Sequence, residues 1–295
     1  MLVIGNDIVD LTAPENRGKS GDRRFRARVF TAAEEEWIDA APSPDTALWT
    51  LWAAKEAAFK TAVKLKPGLT FRHREYAVTN LPPADFSGSV CAGADRSDPR
   101  SVPADWVWVQ SVVAGQGGKH ADGRVSTDLP FQGPCFPDGA EQATESRKGR
   151  QLPAGVAVAG SGTAPLSGYG AVMTPAGLVD VLFSVSPFRV HCLALGGNGH
   201  GTGKKREPRL HWQEERRSGV FDPSGAVRRA AIHYLAEVLR TSPYFLAIRR
   251  PRTTSGEGGT PRVFLEGRET DIDLSLTHDG AYLAFAVRLG HDAGE

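Results

Sequence analysis

Apolar residues recur at helical spacing along residues 46–65, and this pattern predicts a long amphipathic helix. At about 100° per residue, Trp49 and Trp52 fall on one face of that helix. Glu56 lies in the middle of the same aromatic face, and Lys60 follows one turn later at its margin. Because an isolated buried carboxylate is costly, we expect Glu56 to be paired, protonated or bound to a metal ion. The alternative is an ordinary surface ion pair between Glu56 and Lys60.

Residues 2–11 form an apolar stretch that predicts a buried strand. Asp7 has the same parity in this strand as Val9, so its carboxylate is expected among apolar neighbours. Gly5 lies beside it and permits the close approach of a ligand or of another backbone. Asp10 has the opposite parity and joins Asp7 only if the strand ends or bends between them. A turn-forming acid at the end of the strand is the alternative interpretation of Asp7.

A third candidate residue ends a strand predicted at 272–278. His278 continues the apolar parity of this strand and precedes Asp279-Gly280, a dipeptide typical of a tight turn. A histidine at such an exposed strand end can donate a hydrogen bond to a phosphate group. A histidine that packs over the turn is the alternative.

The rest of the pattern mixes helices with groups of strands. Thr31 and Glu34 have the spacing of a capping box and predict that a helix begins there, while a further amphipathic helix is predicted at 225–240. Because helices stand between groups of strands along the chain, we expect the α+β class with antiparallel sheets. Further strands are predicted at 71–79, 88–91, 106–113, 179–183, 188–195, 262–265 and 282–289.

Glycine and proline are concentrated in residues 115–170, which hold 12 Gly and 5 Pro. Such a composition predicts irregular, exposed chain over most of this stretch, since it offers little apolar surface to bury. We therefore expect three parts. Residues 1–125 form a first half with the candidate acids, 126–175 form an insertion or linker, and 176–295 form a second half with the second amphipathic helix and His278.

Composition excludes several classes of protein. The 35 basic and 34 acidic residues leave a net charge of +1, which does not indicate a nucleic-acid-binding protein. No apolar run approaches the ~20 residues of a membrane helix, and the N-terminus lacks the basic start of a signal peptide. Cys91, Cys135 and Cys192 lie far apart and form neither a disulfide set nor a zinc motif, which favours the cytoplasm.

Charged residues suggest two further interpretations. Asp7, Glu56 and Lys60 together, in apolar surroundings, are typical of a site for a hard divalent cation such as Mg²⁺ beside a phosphorylated substrate. A short basic run is either a solvated face or a patch for phosphate or an acidic partner. This run comprises Arg23, Arg24, Arg26 and Arg28.

Four sequence blocks, taken together, resemble the 4′-phosphopantetheinyl transferase superfamily. The most specific is the string Trp-x-x-Lys-Glu-x-x-x-Lys at residues 52–60. Gly-Asn-Asp-Ile-Val-Asp at 5–10 and Phe-Thr-x-x-Glu at 30–34 precede it, and Ser-Leu-Thr-His at 275–278 follows it. The resemblance covers about residues 1–66 and 222–288 and leaves the middle of the chain unmatched.

The resemblance implies an enzyme that moves the phosphopantetheine arm of coenzyme A onto a serine of an apo acyl or peptidyl carrier protein, as in fatty acid or polyketide biosynthesis, and releases adenosine 3′,5′-bisphosphate. It implies that Asp7 and Glu56 hold Mg²⁺ and that Glu56 and Lys60 are catalytic. Contacts to coenzyme A are implied for Lys55, Lys60 and His278. The implied fold is two pseudo-repeated α+β halves in a cytoplasmic monomer, with no nucleic-acid or membrane partner.

The chain departs from the family pattern in three respects. Its block order is that of the short, trimeric holo-acyl-carrier-protein synthase type, whereas its 295 residues match the length of the long monomeric type. Val9 stands where the long type has a further acid, so Asp10 or water is left as the third metal ligand. Thr277 replaces the usual serine before His278. A non-catalytic relative that binds coenzyme A or a carrier protein is the alternative to an enzyme.

Overall fold

The structure is a computed structural model, and it describes residues 2–79, 108–114, 166–197, 209–251 and 259–289. The strand predicted at 88–91 and residues 126–165 of the predicted insertion lie outside these ranges. In chain order the elements are β1 (Val3–Asp10), α1 (Arg23–Val29), α2 (Ala32–Ala40), α3 (Pro44–Leu65), β2 (Ala77–Thr79), β3 (Trp108–Ala114), β4 (Leu166–Thr174), β5 (Gly177–Val185), β6 (Arg189–Gly196), β7 (Arg209–Arg216), α4 (Pro223–Val238), β8 (Leu246–Arg249), β9 (Arg262–Leu265), β10 (Arg268–Asp279) and β11 (Tyr282–Leu289).

The strands form two sheets. The first sheet has the order β1-β6-β5-β4-β2, and every neighbouring pair in it is antiparallel. The second sheet has the order β3-β7-β11-β10-β9-β8, and its one parallel pair among the described residues is β3 with β7. The predicted α+β class with antiparallel sheets is therefore confirmed.

The two sheets pack face to face, and each carries one long helix on its outer face. Helix α3 buries its apolar side against the first sheet, and α4 does the same on the second sheet. Between the sheets, Ile4 and Leu193 of the first contact Leu210 and Trp212 of the second. This layering places β1, an edge strand of the first sheet, between α3 and the strands β10 and β11.

Helix α3 lies directly on β1 because of a glycine. A side-chain Cβ at Gly5 would lie 2.1 Å from the carbonyl oxygen of Ala57 and 2.5 Å from Thr61 Oγ1, so only glycine fits without a backbone shift. The close approach expected at Gly5 is therefore made by another backbone. Lys60, one turn after Glu56 on α3, lies within hydrogen-bond distance of Asp7.

Most predicted elements form, with boundaries that move by a few residues. The capping box is present: the Thr31 hydroxyl accepts from the backbone of Glu34, and the Glu34 carboxylate accepts from the backbone of Thr31. The strand predicted at 71–79 is reduced to Ala77–Thr79, because His73–Glu75 form a short 3-10 helix. The basic run forms helix α1, capped by Asp22, which the sequence pattern did not predict as a helix.

The strands β4 and β7 were not predicted either. The first half of strand β4 contains Ser167, Gly168 and Gly170, and these residues obscure the alternation of apolar and polar positions. Because β4 and β5 pair with each other and β6 pairs with β1, the first sheet takes strands from both sides of the predicted boundary between 175 and 176. Among the described residues, no helix is long and apolar enough to cross a membrane.

Candidate active site

A pocket of about 420 Å³ lies where β1, α3, α4 and the end of β10 meet. Asp7, Glu56 and Lys60 line one wall of it, together with Trp49 and Trp52. The residues that line the pocket from α4, the end of β10 and the chain after β8 are called the opposite wall. They carry hydroxyl, imidazole and guanidinium groups. These belong to Ser224, Arg228, Arg250, Thr277 and His278.

Asp7 and Lys60 form an ion pair at the inner end of the pocket. Lys60 Nζ lies 2.8 Å from Asp7 Oδ1 and donates a second hydrogen bond to the carbonyl oxygen of Asn6, at 2.9 Å. Asp7 Oδ1 also accepts from the Thr277 hydroxyl at 2.9 Å. The Lys60 side chain is 28% exposed and that of Asp7 is 10% exposed. An ammonium group has three protons, so one proton of Lys60 is left for another acceptor.

Glu56 faces the same space without a direct partner. Among the described residues, its carboxylate takes part in no hydrogen bond and no ion pair within contact distance. Burial and the negative charge of Asp7 raise the pKa of Glu56 to about 7, and the positive charge of Lys60 opposes this shift only in part. Glu56 therefore exchanges its proton near neutral pH, which suits a group that takes up a proton or a cation.

His278 ends β10 on the opposite wall of the pocket. Its Nε2 lies 3.1 Å from the hydroxyl of Ser224, which belongs to the first turn of α4. Burial, followed by the positive charge of Lys60, lowers the pKa of His278, so the imidazole is neutral near pH 7. His278 lines the pocket, which the phosphate-donating interpretation requires.

Two arginines beside His278 leave positive charge uncompensated. Both arginines line the pocket, and burial followed by the positive charge of Arg228 lowers the pKa of Arg250. Within the described ranges neither group makes an ion pair. Because like charges this close repel, this wall favours an anion between them.

Comparisons with known proteins bear on the same residues. The profile of the 4′-phosphopantetheinyl transferase superfamily matches residues 3–111. A holo-[acyl-carrier-protein] synthase from Verminephrobacter eiseniae (strain EF01-2) is 39% identical over 98 residues, which are 32% of this chain and 75% of that protein. A second, from Jannaschia sp. (strain CCS1), is 29% identical over 126 residues, which are 38% of this chain and 83% of that protein.

The chain belongs to the 4′-phosphopantetheinyl transferase superfamily. The matched segment contains Asp7, Glu56 and Lys60, whereas Arg228, Arg250 and the rest of the opposite wall lie outside it. The superfamily assignment therefore rests on the acidic side of the pocket.

The donor set fits the Mg²⁺ ion that membership of this superfamily implies. Mg²⁺ is usually held by one or two carboxylates together with water and substrate phosphates. Asp7 and Glu56 supply two carboxylates in one pocket, where burial and the charge of Asp7 raise the pKa of Glu56. Among the described residues, no group of three or more acidic, histidine or cysteine side chains could hold a metal ion by itself. The fit is thus to an ion shared with substrate phosphates.

Asp10 does not join Asp7. Strand β1 continues without a bend to Asp10, so the two carboxylates keep opposite parity. Asp10 Oδ1 accepts from the backbone and hydroxyl of Thr12, and Oδ2 accepts from the backbone of Ala281. Asp10 does not line the pocket, so the structure does not support it as a third metal ligand, and water as that ligand stays a prediction.

Lys55 is a correction to the sequence-based site. It was predicted to contact coenzyme A, but its side chain is fully buried and points away from the pocket. Lys55 Nζ lies 2.9 Å from Glu34 Oε2 and donates to the backbone oxygens of His73 and Tyr76. The physical reason is the helical step of about 100°, which turns Lys55 to a different face of α3 from Glu56.

The sequence-based site also missed Ser224, Arg228 and Arg250. The first two lie at the start of α4, where Asp222-Pro223-Ser224 marked a helix start and nothing marked a ligand. Arg250 follows the short edge strand β8 and carries no motif. The sequence marks these three residues only weakly. They are basic or hydroxyl residues near the start of α4 or just after β8.

Proposed function

We propose that this protein transfers the 4′-phosphopantetheine group of coenzyme A to a serine of an apo carrier protein, in a reaction that depends on Mg²⁺ and releases adenosine 3′,5′-bisphosphate. One observation carries this proposal. Asp7, Glu56 and Lys60 line one pocket, and each has hydrogen-bonding capacity that no described residue uses. The opposite wall of this pocket is cationic. The names of the two relatives support it, since both are holo-[acyl-carrier-protein] synthases.

Glu56 has the properties of the general base. Without a metal ion its pKa is about 7, near the working pH of an enzyme, and a bound Mg²⁺ would lower this pKa and favour the carboxylate form that accepts a proton. In the proposed reaction Glu56 accepts the hydroxyl proton of the carrier serine, directly or through water. The serine oxygen then forms a bond to the phosphorus next to the pantetheine arm.

Lys60 has the properties of the group that stabilises the leaving phosphate. As the bond from phosphorus to adenosine 3′,5′-bisphosphate breaks, negative charge develops on the leaving oxygen. The third proton of Lys60 is free to donate to that oxygen, while Asp7 and Asn6 hold the other two protons in place. Mg²⁺, held by Asp7 and Glu56 with the pyrophosphate, supplies further positive charge there when bound.

The cationic wall is suited to the nucleotide end of coenzyme A. His278, Arg228 and Arg250 offer donors to a phosphate that does not react. In this arrangement the pyrophosphate lies at Lys60 and the 3′-phosphate lies at the far wall. Recognition and chemistry are then made by residues from opposite sides of the pocket.

Helix α1 supplies a basic surface for the carrier protein. Arg26 is held by Asp39 and Glu35 and is not available to a partner. Phe25 of the same helix packs on Trp52, a pocket residue, with ring centroids 5.7 Å apart. An acidic carrier domain that binds α1 is therefore placed beside the pocket. The exposed arginines of this surface are Arg23, Arg24 and Arg28.

The test is to incubate the protein with coenzyme A, Mg²⁺ and a panel of apo carrier proteins, and to weigh the carriers by mass spectrometry. The expected result is the mass of one phosphopantetheine group on at least one carrier. A carrier with its acceptor serine replaced by alanine is the control and should stay unmodified. Binding of coenzyme A without modification of any carrier would instead support the non-catalytic relative.

A further inference from the structure

The free edge of β1 is bonded by side chains of β10 instead of by a strand. On one edge β1 pairs with β6 in the ordinary antiparallel way. On the other edge every second backbone N–H group donates to a side-chain oxygen of β10. The four hydrogen bonds are Ile4 to Asp273 Oδ2 at 2.6 Å, Asn6 to Ser275 Oγ at 2.9 Å, Ile8 to Thr277 Oγ1 at 3.4 Å and Asp10 to Asp279 Oδ2 at 2.8 Å.

This ladder explains the alternation of residue types in β10. Residues Ile272, Leu274 and Leu276 face α4 and belong to the core of the second sheet. The positions between them face β1, where unpaired N–H groups need acceptors because they are buried. An oxygen-bearing side chain at every second position of β10 satisfies them.

Thr277 differs from the other residues of the ladder. Besides accepting from the backbone of Ile8, its hydroxyl donates to Asp7 Oδ1 at 2.9 Å. Lys60 donates to the same Oδ1, so both hydrogen-bond donors to the Asp7 carboxylate bind the same oxygen. Among the described residues, nothing donates to Asp7 Oδ2. Two donors on one oxygen fix the rotation of the carboxylate and leave the other oxygen available.

Ser275 provides the internal comparison. It occupies the preceding position of the ladder, is buried like Thr277 and accepts from the backbone of Asn6. Within the described ranges its hydroxyl makes no hydrogen bond to Asp7. Loss of either hydroxyl removes one acceptor from the edge of β1, but only loss of the Thr277 hydroxyl frees the Asp7 carboxylate.

We propose that Thr277 is a positioning residue, which orients Asp7 so that Oδ2 is presented to the divalent cation of the reaction. The role of Asp7 toward the cation rests on the proposed function. The contact between Thr277 and Asp7 does not, since both residues are held by the ladder whatever the pocket binds.

The test compares Thr277→Val, which keeps the shape and removes the hydroxyl, with Ser275→Ala as the matched control and Thr277→Ser as the rescue. Binding of Mn²⁺ in place of Mg²⁺ is measured by electron paramagnetic resonance in the presence of coenzyme A. Loss of a residue that orients a metal ligand weakens metal binding by roughly 10–100-fold. Thr277→Val is expected to show such a loss, while Ser275→Ala and Thr277→Ser stay within about threefold of the wild type.

A second readout does not depend on metal or activity. The urea unfolding of Thr277→Val, Asp7→Ala and the double variant forms a cycle, and the two effects should be strongly non-additive. The same cycle with Ser275→Ala should be additive. If Thr277→Val does not fold, Thr277→Ala replaces it in both measurements.

The outcomes separate the two claims. Suppose that Thr277 couples to Asp7 in the unfolding cycle but the protein binds no Mn²⁺. This result would refute the metal part of the proposed function and the presentation of Oδ2 to a cation. The contact between Thr277 and Asp7 would remain. Additive unfolding effects in the Thr277 cycle would overturn the positioning role itself. Wild-type Mn²⁺ affinity in Thr277→Val would also overturn it.

Discussion

Helix α3 makes three ion pairs between a lysine and a carboxylate among the described residues, and two of them, Lys55–Glu34 and Lys60–Asp7, differ in how much of their hydrogen-bonding capacity stays unused. Lys55 and Glu34 lie 2.9 Å apart with side chains 0% and 1% exposed, whereas Lys60 and Asp7 lie 2.8 Å apart with side chains 28% and 10% exposed. The distances are almost equal, so pair geometry does not distinguish a structural pair from a functional one. Solvent access and the remaining bonding capacity do.

In the Lys55–Glu34 pair, all three ammonium protons and both carboxylate oxygens have hydrogen-bond partners. Lys55 directs its three protons to Glu34 and to two backbone oxygens. Glu34 accepts from the backbone of Thr31 with one oxygen and from that of Val78 with the other, and so joins α2, α3 and β2. The pair near Asp7, in contrast, keeps a proton of Lys60 and an oxygen of Asp7 unbonded within the described residues. Unused capacity in a pocket therefore marks the site.

The largest expected effect is on the free energy of unfolding and concerns the buried Lys55–Glu34 pair. Lys55→Met leaves the buried Glu34 carboxylate without its cation, and breaking a buried pair in this way costs about 3–5 kcal/mol. Lys60→Met removes a partly exposed partner and should cost about 1 kcal/mol or less. Urea unfolding of both variants checks the difference. Equal losses would show that exposure does not separate the two pairs.

The next effect is catalytic and falls on Lys60. Because Lys60 is proposed to meet charge that develops as the phosphate bond breaks, its loss should lower kcat by roughly a hundredfold or more and change the KM for coenzyme A much less. Steady-state kinetics of Lys60→Met with a modified carrier as readout measures this. A variant with a raised KM and an unchanged kcat would assign Lys60 to binding alone.

A third effect follows from the raised pKa of Glu56. A carboxyl group whose pKa rises from 4.5 unfolded to about 7 folded contributes stability below the unfolded pKa, and that stability is lost as pH rises through about 7. Without divalent metal, Glu56→Gln should therefore gain about 2 kcal/mol relative to the wild type between about pH 5 and about pH 8. Urea unfolding at both pH values tests the sign. A constant difference between the two proteins would show that Glu56 does not titrate in this range.

The smallest expected effect concerns the far wall. If His278 contacts the 3′-phosphate, His278→Ala should raise the KM for coenzyme A by roughly ten- to a hundredfold, with kcat less affected. Dephospho-coenzyme A lacks that phosphate and is the control, so its KM should change little. An equal penalty on both substrates would place the contact of His278 elsewhere.

Local pattern predicted most of the fold elements, and three residues that it singled out, Asp7, Glu56 and Lys60, line one pocket. Glu56 and Lys60 were found by helical angle, and Asp7 was found by strand parity, because each signal lies within a few residues. Lys55 was misassigned because it was carried over with its motif, although its helical angle differs from that of Glu56. An angle calculated for every residue of the motif would have separated them.

Long-range features were not accessible in this way. The ladder joins β1 to β10 across 269 residues, and its parity is visible only when the two strands are known to be neighbours. Arg250 follows an edge strand and reaches the pocket through the layering of two sheets, which no local pattern encodes. The Gly/Pro-rich composition of residues 115–170 likewise concealed β4, which pairs with β5 and β2.

The central claim is that the Lys60–Asp7 pair and Glu56 form a reaction centre. One rate tests this claim most directly. The rate of phosphopantetheine transfer in Glu56→Gln should be measured against the wild type at equal folded fraction, with coenzyme A, Mg²⁺ and a carrier protein that the wild type modifies. Glu56 takes part in no hydrogen bond within the described residues, so the substitution should leave the fold intact. Loss of a general base lowers rates by roughly 10²–10⁴-fold, and we expect a loss in this range. A wild-type rate in Glu56→Gln would contradict the account.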